Sequence, residues 1–114
     1  MMRVSRVLVA LAVLMAVTTA SQAQVRALGP GVGVSCNVWL EARSDPEGPL
    51  VFGLLSWVLG YITGAAVYGS VGDVLRDTDL DGVATSLDNY CRAHPAEYLL
   101  EGARQFVSER QADK

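Results

Sequence analysis

Apolar positions crowd into one long run near the middle of the chain. No charged residue occurs between Glu47 and Asp73, and from Leu50 to Tyr68 nearly every position is hydrophobic or small. Such a run is too apolar for an ordinary surface element. Two readings compete. About 20 apolar residues span a bilayer, and Gly60-x-x-x-Gly64 is a packing pattern of membrane helices. Alternatively, the run is the central helix of a small helical protein, apolar on nearly every side because neighbours cover it. Cys36 precedes the run and Cys91 follows it. A single membrane crossing would leave the two thiols in different compartments, whereas a soluble bundle lets them pair, so the core helix is the favoured reading. Gly53, Ser56, Gly60, Thr63 and Gly64 also dilute the membrane signal. Gly53, Gly60 and Gly64 lie near one helix face, where another backbone can approach closely, and Trp57 and Tyr61, one turn apart, flank that groove.

The pattern on either side predicts three further helices. Ser35 is a suitable cap for a helix carrying Cys36, Trp39, Leu40 and Arg43 on one face. Residues 44–49 form a turn, with Pro49 placed to open the long helix. Gly69 and Gly72 end that helix, since glycine tolerates the left-handed cap, and residues 73–76 form a short helical turn or connector. Asp81 is placed to cap a helix over about 82–93, with Val83, Leu87, Tyr90 and Cys91 inward. His94-Pro95 breaks the chain, because a residue before proline avoids helical geometry. Pro95 then opens a last helix to about Arg110, on which Leu99, Leu100, Ala103, Phe106 and Val107 repeat at helical spacing. Glu97 and Glu101 early and Arg104 and Arg110 late suit its dipole. The fold expected is all-α: a small bundle of four, possibly five, helices, with the long helix passing between the first and third. Trp39, Trp57, Gly60, Tyr61, Gly64 and Tyr90 are its expected structural core.

The N-terminus changes the picture of where this bundle works. Arg3 and Arg6 precede an apolar stretch from Val7 to Val17, and Ser21-Gln22-Ala23 is a small-x-small cleavage site. This is the pattern of a cleavable secretory signal peptide over 1–23, leaving a flexible glycine-rich leader over 24–34 and one helical domain over 35–111. The expected location is the periplasm, with no membrane span after cleavage. Loss of Arg3 and Arg6 from nine Lys+Arg leaves seven against twelve Asp+Glu, a formal net charge of −5. An acidic domain is poorly suited to nucleic acid and better suited to a basic protein surface. Exported chains use cysteines in pairs, and a Cys36–Cys91 bridge would restrict the unfolded chain by roughly 4 kcal/mol in the entropy model.

Candidate chemistry is sparse. Asp77-x-Asp79-x-Asp81-Gly82, with Asp88 at the twelfth position, has the opening of a calcium loop. Ala84 where a branched apolar residue is usual, the short arm of Asp88, and Gly69 and Gly72 in the entering helix all weaken the match, so no metal or other cofactor is expected. His94 is the one histidine, and its place beside Pro95 suits a capping or turn role. No nucleophile and base stand at catalytic spacing, so the chain is not expected to be an enzyme. The segment from Tyr68 to Asp81, glycine-rich at one end and acidic at the other, links two helices held by the staple. A loop on a rigid scaffold is a good place for recognition, and Tyr68, Ser70, Asp73, Arg76, Asp77 and Asp79 are the candidate partner-binding residues.

Three elements together carry a resemblance. They are Cys36 with Trp39, the central Trp57-x-x-Gly60-Tyr61-x-x-Gly64, and Asn89-Tyr90-Cys91-x-x-x-Pro95 followed by an amphipathic helix. Over about residues 35–107 the chain resembles the Rap/Tai family of type VI secretion immunity proteins, small periplasmic helical proteins similar in general design to the HdeA-like acid chaperones. The resemblance implies a non-enzymatic inhibitor that binds an incoming peptidoglycan amidase, often as a homodimer, with Cys36 and Cys91 as the bridge. Two other functions fit the residues. An acid-stress chaperone would turn cationic below about pH 3 as its carboxylates protonate and expose apolar helix faces, and a calcium-controlled adaptor would use the Asp-rich segment.

Overall fold

The computed structural model describes residues 28–111. The expected signal peptide over 1–23 and the first residues of the expected leader lie outside this range. Four helices follow one another: α1 (Cys36–Ala42), α2 (Pro49–Tyr68), α3 (Leu80–Ala93) and α4 (Leu99–Arg110). The Ser35 hydroxyl accepts from the Val38 amide at the start of α1, and Pro49 occupies the first turn of α2. Both starts follow from local chemistry, an oxygen that meets an orphan N–H and a ring that needs none.

The helices pack in a ring. α3 lies against α1 and α4, and α2 closes the ring against α4 and α1. The Cys36–Cys91 disulfide joins α1 to α3, with the two Cα atoms 4.8 Å apart. Trp39, Leu54, Val58, Ile62, Val74, Val83, Leu87, Leu99 and Ala103 fill the interior around it. The inward positions of α4 are those that the spacing predicts, all of them buried.

Several expectations are corrected. α2 does not pass between α1 and α3. It lies to one side, and only Val51, Leu54, Val58 and Ile62 are buried along it. α3 begins two residues earlier than expected, capped by Asp79 instead of Asp81; the Asp79 carboxylate accepts from the Gly82 amide at 2.8 Å. α4 begins at Leu99, not Pro95, because the preceding backbone is taken by an isolated bridge between Ser35 and Tyr98. The Leu99 amide donates to the Val34 carbonyl and the Cys36 amide to the Glu97 carbonyl, each at 2.8 Å. Glu97 therefore lies before α4, outside its first turn. The same bridge fastens the end of the leader, which was expected to be free. Further upstream, the Trp57 indole donates to the Leu28 carbonyl at 2.9 Å, and Gly31 lies so close to the Trp57 ring that a Cβ there would collide with it.

Candidate functional site

Three places bear on function: a buried polar tie, the connector between α2 and α3, and the outer face of α2. The tie was not foreseen. Asp88, only 6% exposed, faces α1 one turn from the disulfide. Its carboxylate accepts from the Trp39 indole at 2.8 Å and from Arg43 Nε and Nη2 at 3.1 Å each. The guanidinium also lies over the Trp39 ring, 5.7 Å from its centroid. α1 and α3 run antiparallel here, so residues three and seven places after Cys36 meet the residue three places before Cys91. That offset is visible in the sequence once the two helices are paired through their cysteines.

This placement removes the calcium reading. From Leu80 onward the supposed loop is helix. Asp79 is engaged with the Gly82 amide, Asp81 sits in the first turn of α3, and Asp88 is committed to Trp39 and Arg43. Asp77, 88% exposed at its side chain, lies 3.6 Å from Arg76 Nε. Ligands wrapped around one cation need a loop, and these four do not share one. His94 holds the C-terminus of α3: its amide donates to the Tyr90 carbonyl at 2.9 Å, and its ring stacks on Tyr90 with centroids 4.3 Å apart. Burial, then the charges of Glu97 and Glu101, raise the Tyr90 phenol above its ordinary 10.0. Arg104 is held still more firmly protonated, chiefly by a hydrogen bond with the Tyr61 side chain.

The connector spans residues 69–79. Val74 is fully buried and pins its middle. Arg110, at the end of α4, donates to the Val74 carbonyl at 2.6 Å and also to the Arg76 carbonyl. Tyr68, Ser70, Asp73, Arg76, Asp77 and Asp79 are all exposed, so the structure brings the six candidate contact residues to the surface of one fastened segment. Asp79 also uses its carboxylate as the cap of α3, accepting from the Gly82 amide. Ser70 and Asp77 both adopt positive φ, 56° and 58°. Of the two glycines expected to end α2 in left-handed geometry, Gly72 adopts it, with φ 80°, and Gly69, with φ −95°, does not. Left-handed geometry costs a non-glycine residue about 1–2 kcal/mol, and such outliers collect where a surface is shaped for contact.

The outer face of α2 is the third place. Gly53, Gly60 and Gly64 have no neighbouring atom within 4 Å of a built Cβ. The expected backbone approach at these glycines is therefore absent among the described residues. The packed side chains of α2 project from the opposite side of the helix. Of the six expected core residues, Trp39 alone is fully buried. Trp57 and Tyr61 are half-buried and stack with centroids 5.9 Å apart, Tyr90 and Gly64 are half-buried, and Gly60 is exposed. Phe52 is 76%, Val67 64% and Tyr68 89% exposed along or beside this face. α2 is long and apolar enough to cross a membrane, with 22% of its most apolar stretch buried. Its two flanking cysteines are nevertheless bonded to each other, so both ends belong to one compartment.

Comparison of the chain with protein-family models, with curated proteins and with solved structures finds no match. The likeness to the Rap/Tai proteins thus rests on the residues quoted for it.

Proposed function

We propose that this chain is an exported periplasmic protein that acts by contact instead of catalysis, and that it neutralises a peptidoglycan amidase delivered by type VI secretion. One observation carries the reading. The connector after α2 is clamped by Val74 and Arg110 yet turns Tyr68, Ser70, Asp73, Arg76 and Asp77 outward. A fixed loop loses little freedom on binding, so its contacts are not spent on ordering it. Asp73 and Asp77 suit a partner whose facing surface is basic, and complementary charge speeds encounter. The three resemblance elements supply the identity of the partner. A candidate amidase should co-purify with the chain, and co-expression should protect cells from lysis by that amidase. No complex and no protection would remove the proposal.

A second reading, an HdeA-like acid chaperone, is favoured by the charge-free outer face of α2, which is already available to apolar clients. The discriminating measurement is aggregation of a denatured client at about pH 2, where the carboxylates are neutral. Equal aggregation with and without the chain would exclude that role.

A further inference from the structure

The corner where α1 hands over to α2 carries a groove that the connector does not reach. Its volume is about 430 Å³, within the range of sites that enclose a ligand group. Val51, 3% exposed, lies at its floor, while Val38 and Leu50 stand 40% and 53% exposed along it. Val38, Glu41 and Ala42 share one face of α1 at the i, i+3, i+4 spacing, turned away from the face on which Trp39 meets α3. Asp45 Oδ2 rests against Gly48, where a Cβ would stand 2.7 Å from it. The missing side chain lets that carboxylate lie at the edge of the groove.

Charge around this groove is one-sided. Between residues 28 and 75, Arg43 is the one Lys or Arg, and its guanidinium is committed to Asp88. Glu41, Asp45 and Glu47 are all exposed, and the ion pairs among the described residues involve none of them. Asp45 and Glu47 precede α2, and a helix start favours negative charge. Glu41 has no such reason to be there. It stands in the last turn of α1, which holds no basic residue, at the helix end that favours a cation.

We propose that this groove holds a basic segment of a second protein, a stretch in which arginine or lysine is flanked by apolar residues. The flanks cover Val38 and Leu50, the aliphatic stem lies over Ala42 and Val51, and the cationic head sits between Glu41 and Asp45. Long basic side chains bury their stems on apolar surface while the head stays charged, and the fork of a guanidinium suits carboxylates. Negative charge at the groove repels nucleic-acid phosphate and anionic lipid headgroups, which leaves protein as the macromolecule of the right chemistry. The inference goes beyond the inhibitor reading. Groove and connector stand at opposite ends of α2, about 30 Å apart along a helix of this length, so both can be occupied at once.

The probe is the amidated peptide acetyl-Leu-Arg-Ala-Arg-Leu, titrated into the exported, oxidised, isotope-labelled chain. It should move the amide NMR signals of Val38, Glu41, Ala42, Asp45 and Leu50, saturating with a dissociation constant below about 1 mM. Replacing its arginines by glutamine, or its leucines by glycine, should each weaken binding roughly tenfold. Salt at about 1 M, where the screening length falls to about 3 Å, should act like the loss of the arginines. On the protein side, Glu41→Gln combined with Asp45→Asn should weaken the original peptide roughly tenfold, as should Leu50→Ser, with helix content by circular dichroism unchanged. Absence of any saturable shift would overturn the proposal. Equal shifts at Asp73 and Asp77 would show attraction to any carboxylate and overturn it too, as would binding indifferent to the loss of the peptide's leucines. Each of these results leaves the connector, and with it the inhibitor reading, untouched.

Discussion

Asp88 shows how much one buried carboxylate can decide. It joins the two helices that the disulfide joins, and it satisfies the indole N–H of a fully buried tryptophan. Asp88→Ala leaves that donor without a partner and Arg43 without its counter-charge. Removing one member of a buried pair is worse than never having had the pair. We expect a loss of about 3 kcal/mol, read as a shift in urea midpoint with the disulfide intact. Tyr90 makes a prediction of opposite chemistry. Its phenol holds its proton beyond the ordinary 10.0 because burial and the charges of Glu97 and Glu101 disfavour the anion. The unfolded chain releases that proton first, so this contribution is complete below about pH 10 and is lost as pH rises through the folded-state value. The thermal midpoint should therefore fall more steeply above pH 10 in the natural protein than in Tyr90→Phe. Parallel slopes would contradict the assignment. The sequence reading set Tyr90 on the inward face of this helix and weighed Asp88 only as the twelfth position of a weak calcium loop. It missed the tie because a lone carboxylate on a helix looks solvated until that helix is placed against α1.

At the scale of elements, what could be read in advance was what local chemistry dictates. Ser35, Pro49 and the Leu99-to-Val107 spacing each specify a start or a face without help from the rest of the chain. The start of α3 was harder, since Asp79 and Asp81 are equally good caps and their separation is within the ordinary uncertainty of a helix end. Pro95 suits a turn as well as a helix start, and only the bridge from Val34 and Ser35 selects the turn. α2 was least legible. A helix apolar on every side carries no direction in its pattern, so nothing in the sequence said which face the bundle takes. Two tests belong to these elements. Reduction of Cys36–Cys91 should cost roughly 4 kcal/mol in the chain-entropy account, seen as a lower thermal midpoint with helices retained at low temperature. Arg110→Ala frees two connector carbonyls. Protease cutting between Gly69 and Asp79 should then speed up, and binding of the proposed amidase partner should weaken, with the helix content unchanged. If cutting stays slow, Val74 alone secures the connector.

For the whole molecule, the arrangement is a ring of helices closed by one covalent bond, with an exposed polar connector at one end of α2 and an uncharged strip along it. A domain of this size buries a limited share of its surface and gains from a staple. The staple has a second consequence here. It closes the chain around the most apolar segment, so that segment packs on protein along one side and leaves its other side exposed. The candidate surface was half legible. Composition pointed to the connector, whereas the open strip could be found only after the packed face of α2 was known.

The claim beneath all of this is that the uncharged helix rests on protein with the bond between its flanking cysteines closed. The direct measurement is thiol labelling of the unreduced chain in fractionated cells, using a reagent that does not cross membranes. The account predicts chain in the soluble periplasmic fraction and no labelled cysteine until a reductant is added. Chain in the membrane fraction, with Cys36 and Cys91 free and labelled from opposite sides, would contradict it.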